Sequence, residues 1–225
     1  VEVSTQCTSA TLNLATEELR QAWKRNPITL SIEKDKQLAP DGFRIRYMKE
    51  RLILSSPTPI GLLYGAYHLL RRQECGQPAC DTTENPAYTL RILNHWDNMD
   101  GSIERGYSGD SFFFKDSEIL IDVPRLTAYA RMLASVGING ITINNVNVKD
   151  AASWLITDRY FGALQEYLKI FTPYGVKLYL SINFAAPMEL GGMDSADPCD
   201  PAVAKWWADK AQEVWANLPG LGGFL

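Results

Sequence analysis

Residues 94–109 read NHWDNMDGSIERGYSG and follow directly on the apolar run YTLRIL. Trp96 offers a flat apolar face of the kind that stacks on the C–H face of a pyranose. Asn94, Asp97 and Asn98 suit hydroxyl recognition, because an amide carries both a donor and an acceptor. Arg105 can grip a carboxylate as a bidentate fork, or it can pair with Glu104. The same residue types also have a structural reading. Asn and Asp bond their own backbone in turns, and a Glu104–Arg105 pair can simply fix a long loop. His95 faces away from Trp96 if the strand continues through it.

Two further runs end in amides. INGITIN leads into Asn144, Asn145, Val146 and Asn147, and VKLYLSINF carries Asn183 near its end. Acid–base catalysis needs carboxylates, and the candidates here are Asp97, Asp100 and Glu104. None stands out as an acid with a raised pKa. No Ser-His-Asp set and no metal-ligand cluster is visible, so neither a metal nor a cofactor is expected. Cys75 and Cys80 in ECGQPAC lack zinc-knuckle spacing and read as free thiols or a local loop bridge.

These residues need elements to hold them. Residues 1–87 read as a small α+β domain. It has a helix starting at TEELRQAW, a strand PITLSIE, a hairpin FRIRY–KE–RLILSS, and a helix PIGLLYGAYHLLRR ending in two arginines. His68 lies within that last helix and reads as a packing or surface residue. QECGQPACDTTENPA reads as a linker.

From residue 88 to 225 strands alternate with helices. Strands are expected at 88–93, 138–144, 176–184 and GGFL, and helices at 122–137, 156–175 and 200–220. Trp206, Trp207 and Trp215 on the last helix read as core. This rhythm predicts βαβ units and a parallel sheet, either an open doubly wound sheet or a (β/α)8 barrel. No GxGxxG and no GxxxxGK[ST] follows the first strand, which weakens the nucleotide-binding open sheet. Polar residues gather at the C-terminal strand ends, where barrels place their sites. The fold class expected is therefore α/β: a small α+β domain followed by the first four β/α units of a truncated TIM barrel.

The net charge of −4 leaves no footprint for nucleic acid. The apolar runs fall short of the roughly 18–20 residues of a membrane span. No signal peptide is visible, and cytoplasm, periplasm and exterior stay open as compartments. The chain begins without Met and stops at LGGFL, which reads as an unfinished buried strand, so a fragment of a longer protein is expected.

NHWDNMDGSIERGYSG resembles the signature run of the α-glucuronidases of glycoside hydrolase family 67. PTPIGLLYGAYHLLR is similar to that family's helper domain, and GINGITINNVNV to its second barrel segment. The resemblance covers essentially the whole chain. It implies a barrel that removes α-1,2-linked glucuronic acid, or its 4-O-methyl form, from xylo-oligosaccharides with inversion and without a metal. It places Trp96 and Val146 around the uronic acid and its methyl group. It puts the general acid just after the fourth strand and the base on later strands, so no catalytic residue is expected in this chain. The isolated chain is expected to be inactive, with glucuronoxylan-derived oligosaccharides as partners of the parent and a homodimer left open for it. Two alternatives stand beside this. One is a barrel glycosidase such as a β-hexosaminidase relative, and the other a non-catalytic module that binds uronic acids.

Overall fold

Helix α1 runs Ala10–Ala22, an earlier start than Thr16, which the acidic run TEEL had marked. Ser9 caps it, its hydroxyl accepting from the Leu12 N–H at 3.1 Å. Thr16 lies inside the helix, where its hydroxyl donates back to the Leu12 carbonyl at 2.8 Å. The computed structural model describes all 225 residues of this mixed α/β chain, which divides into two units. The first comprises Val1–Arg91, Tyr129–Asn139 and Pro173–Gly175; the second comprises Ile92–Ala128, Gly140–Thr172 and Val176–Leu225.

The first unit carries a five-stranded sheet in the order β1-β2-β4-β3-β5. Its strands are β1 (Glu2–Val3), β2 (Ile28–Ile32), β3 (Phe43–Met48), β4 (Arg51–Ser56) and β5 (Thr82–Glu84). The expected hairpin is β3–β4, antiparallel, with Lys49 at φ 58° in its turn. Strand β5 falls inside the stretch read as linker and pairs antiparallel with β3. A strand this short has no alternation to detect. Helix α2 (Pro59–Glu74) starts on a proline and ends in Arg71 and Arg72. Gly61 lets it sit close, since a Cβ there would collide with the Gly42 carbonyl and the Ser56 hydroxyl. Leu30, Ile45, Leu52, Leu54, Leu62 and Leu69 form the buried core. Glu18 accepts from the Arg131 guanidinium at 2.5 and 2.7 Å and from the Tyr67 hydroxyl at 3.0 Å. His68 is half-buried with its ring 5.4 Å from Phe43. All four cysteines are free and exposed.

The second unit holds a parallel four-stranded sheet made of β6 (Ile92–Asn94), β9 (Gly140–Thr142), β10 (Lys177–Leu180) and β11 (Gly223–Phe224). Each strand lies beside its successor in this series, so the sheet order follows the chain without a reversal. An antiparallel ribbon, β7 (Phe114–Lys115) with β8 (Glu118–Ile119), interrupts the series after β6. Helix α3 (Val123–Ser135) has residues in both units, and α4 (Asp158–Phe171), α5 (Ala186–Glu189), α6 (Pro201–Asn217) and a 3-10 helix at Asp150–Ile156 lie in the second. No helix is long and apolar enough to cross a membrane.

Alternation along the strands separates two faces. Ile141, Ile143, Leu178 and Leu180 share one and are fully buried. Thr142, Asn144, Tyr179 and Ser181 share the other, which is polar and also buried. Gly140 belongs to this second face, for a Cβ there would lie 2.9 Å from the Tyr179 ring and 3.0 Å from Ile92.

Two expectations need correction. Strand β6 begins at Ile92 rather than Tyr88, and both Tyr88 and Leu90 are exposed. The tryptophans of α6 are not core. The helix buries only Val203 and Val214, while Trp206 and Trp207 are half-buried and Trp215 is exposed. Trp206 and Trp207 meet edge to face at 4.9 Å, and Trp215 meets Phe224 at 5.1 Å.

Candidate functional site

The parallel register sets Asn94 level with Thr142, Thr142 with Tyr179, and Tyr179 with Gly223. Every residue just beyond those positions therefore emerges at one edge of the sheet. Asn94, Trp96, Val146 and Asn183 all lie there, and Trp96 and Val146 are each more than a third exposed. Asp97, Asn98, Asn145 and Asn147 line a cleft of about 410 Å³, together with Glu104 and Arg105.

The loop after β6 is held by its own polar groups. Asp97 pairs with Ile103, and Ser102 with Asp110, as isolated antiparallel bridges. The Asn98 amide donates to the Ser102 hydroxyl and to the Glu104 carbonyl, both at 2.9 Å. Asn145 ties the next loop to it, donating to Asn98 Oδ1 at 3.0 Å from its side chain and to the Asp97 carbonyl at 2.8 Å from its backbone. Asp100 is held below the usual carboxylate range by the hydroxyl and backbone N–H of Ser102.

Asp97 is almost completely buried, and its Oδ2 accepts from the Ser111 hydroxyl at 2.5 Å. Burial pushes its carboxyl upward, and the Ser111 bond opposes the shift. His95 lies 3.8 Å from the other Asp97 oxygen and stacks edge-on against Phe113 at 4.9 Å. Burial draws its imidazole down to about 4, so it is neutral near pH 7 and its contact with Asp97 is not an ion pair there.

Glu104 adopts φ 56°, a strained backbone for a glutamate. Its N–H donates to the Trp96 carbonyl at 2.8 Å, which ties the tryptophan's backbone to the loop. One carboxylate oxygen lies 3.4 Å from Arg105 Nε, and the other is buried with no hydrogen-bond partner. The Arg105 side chain is exposed.

Asn144 is fully buried and has no surface from which to reach a ligand. Its amide donates to the Ser181 carbonyl at 3.0 Å and accepts from the Ser181 N–H at 2.9 Å, which extends the sheet ladder past the strand ends. Asn183 is partly exposed; it caps the Ala185 N–H at 2.9 Å and donates to Glu189 at 2.8 Å.

Sequence reasoning missed Ser111, whose type and position carry no signal for a partner so far along the chain. It also missed Phe184, which is 80% exposed four residues beyond β10. Its place at the end of the run VKLYLSINF is a local signal for it.

The edge thus offers aromatic and apolar faces beside amides, an arrangement suited to a polyhydroxylated ring. The middle domain of glycosyl hydrolase family 67 matches residues 70–225. The probable alpha-glucuronidase A of Aspergillus oryzae is 38% identical over 218 residues, 96% of this chain and 25% of that protein. The alpha-glucuronidase A of Emericella nidulans is 36% identical over 196 residues, 84% of this chain and 23% of that protein. The chain spans about a quarter of the length of the curated relatives it matches. Among solved structures, a GH138 enzyme targeting pectin rhamnogalacturonan II has a TM-score of 0.64 at 16% identity, covering 99% of this chain and 30% of its own. A chitobiase of Flavobacterium johnsoniae has a TM-score of 0.60 at 13% identity, covering 99% of this chain and 40% of its own. These two share the fold. By the match over residues 70–225 and the identity to the alpha-glucuronidases, the chain belongs to glycosyl hydrolase family 67.

Proposed function

We propose that this chain is the substrate-gripping front part of an α-glucuronidase, built as a helper domain (1–87) and the first four β/α units of a (β/α)8 barrel (88–225). The whole enzyme removes α-1,2-linked glucuronic acid, or its 4-O-methyl form, from xylo-oligosaccharides with inversion. The observation that carries this is family membership joined to a parallel sheet whose strands follow chain order and present Trp96 and Val146 at one edge. Trp96 stacks on the uronic acid, Val146 meets its methyl group, and Asn94 and Asn183 bond hydroxyls. Asn98, Asn145 and Glu104 hold the loops that aim them.

Inversion needs two carboxylates roughly 6.5–9.5 Å apart with a water between them. Two carboxylates near this edge sit in structural settings, Glu104 with one buried oxygen unpartnered. Asp97 is enclosed with Ser111, and Glu104 is packed into its loop. We place the acid and base on later strands, as the family resemblance implies. The 225-residue chain is expected to release no uronic acid from 4-O-methylglucuronosyl-xylotriose, as followed by proton NMR over a day. Release above the rate of a boiled control would overturn the assignment of catalysis to residues outside this chain.

A further inference from the structure

We propose that a cavity in the first unit binds a small carboxylate with an apolar body, gripped by Tyr64, His68 and Arg71. The cavity measures about 310 Å³ and is lined from α2, from the segment after β5 and from the end of α3. Tyr64, His68 and Arg71 recur on α2 at helical spacing, so one face of that helix supplies all three. Phe43, Pro86 and Val136 add apolar walls.

Two polar atoms of this wall have no protein partner. Tyr64 is 7% exposed, and its hydroxyl is buried without a hydrogen bond. His68 Nε2 is likewise buried and unpartnered. Buried polar groups are otherwise paired, so two orphans in one cavity wall mark a place for a ligand. The two arginines differ in what they leave open. The Arg91 guanidinium lies 5.8 Å from the centre of the Tyr64 ring and spends its N–H groups on Asp41, Gly137 and Tyr88. Its charge is met by Asp41. Arg71 donates to the Ser135 carbonyl and forms no ion pair, so its charge and the rest of its fork are open.

The open groups on α2 are donors, and a carboxylate takes several donors at once. Burial keeps the Tyr64 phenol protonated and able to donate. Burial also lowers the pKa of His68; Glu84 opposes that shift, and Arg71 and Arg72 reinforce it. Asp41 and Arg91 face the same cavity and offset each other. An anion held by Tyr64 and Arg71 favours the imidazolium, so binding takes up a proton and tightens as pH falls. Glu84 stands exposed at the rim and disfavours a dianion such as phosphate.

The test is NMR on the 225-residue protein, which has only two imidazoles, His68 and His95. Benzoate is the probe. It should shift the His68 ring signals saturably, raise the proton affinity of His68 about tenfold and leave His95 unmoved. Inorganic phosphate at the same concentration should leave His68 unmoved. Arg71→Gln should weaken benzoate about tenfold. Tyr64→Phe should weaken it severalfold while its melting temperature holds or rises, because an unpaired buried hydroxyl is removed. An unmoved His68, full benzoate binding by either variant, a lower melting temperature in Tyr64→Phe, or an equal response to phosphate would each overturn the site.

Discussion

Replacing Asn144 by Asp should cost about 3–5 kcal/mol and lower the melting temperature by about 10 °C at neutral pH. Asn144 is fully buried, and both ends of its amide are used on the Ser181 backbone. The Ser181 hydroxyl also donates to the Asn144 carbonyl at 3.1 Å. Aspartate keeps the acceptor for the Ser181 N–H. It puts a second oxygen against the Ser181 carbonyl, where the amide had a donor. The carboxylate is then desolvated and faces another acceptor, so its folded-state pKa rises above its unfolded value. Stability is therefore lost as pH rises through that window and is partly regained in acid, where the protonated group can donate again. Thermal melts followed by circular dichroism at pH 4 and pH 7 check both statements. An unchanged melt at pH 7 would contradict the buried bridge between the two strand ends.

Ser111→Ala should cost about 3 kcal/mol near pH 7, the second largest effect expected. The Ser111 hydroxyl donates to Asp97 and accepts from the Phe113 and Phe114 N–H groups at 3.0 and 3.1 Å. Its loss strands a buried carboxylate and two backbone donors together. Asp97 also sets a pH slope. Its folded pKa is raised, so its contribution is most favourable in acid and declines as pH rises from the ordinary value of 3.8 through the raised one. His95 acts in the opposite sense. Its folded pKa is lowered from 6.5 to about 4, so stability is lost as pH falls through that interval. Comparing urea midpoints of the wild type and Asp97→Asn from pH 4 to 7 cancels the His95 part. The asparagine variant, which still accepts from Ser111, should gain relative to the wild type as pH rises. Parallel curves would contradict the burial of Asp97.

What was legible depended on whether a residue's role is local. The FRIRY–KE–RLILSS hairpin and α2 were readable because alternation, a turn and a terminal arginine pair all lie within a few residues of one another. The start of α1 was misplaced because the acidic Glu17 and Glu18 resemble a first turn, whereas the cap is Ser9. Glu18 is instead spent on Arg131, far along the chain. Strands β5, β7 and β8 are too short to carry a period. The tryptophans of α6 illustrate a different limit. Apolar type does not say whether a neighbouring element covers the residue, and Trp215 stays 42% exposed although its ring meets Phe224 edge to face.

At the candidate site the strand ends were readable, and the fate of each amide was not. Asn144 and Asn183 have the same chemistry and both follow a strand end, Asn144 level with Ser181 and Asn183 two residues further on. One closes the sheet and the other stands partly open, a difference fixed by whether Ser181 or a loop lies opposite. Asp97 looked like a candidate carboxylate because its partner Ser111 has no local signature.

The central claim is that these strand ends grip the uronic acid of an inverting α-glucuronidase. It is tested most directly on the complete polypeptide that carries this sequence, supplied with 4-O-methylglucuronosyl-xylotriose and followed by proton NMR in the first minutes. The account predicts release of 4-O-methylglucuronic acid as the β anomer first, with Trp96→Ala slowing release about tenfold or more. First release of the α anomer, or full activity in Trp96→Ala, would contradict it.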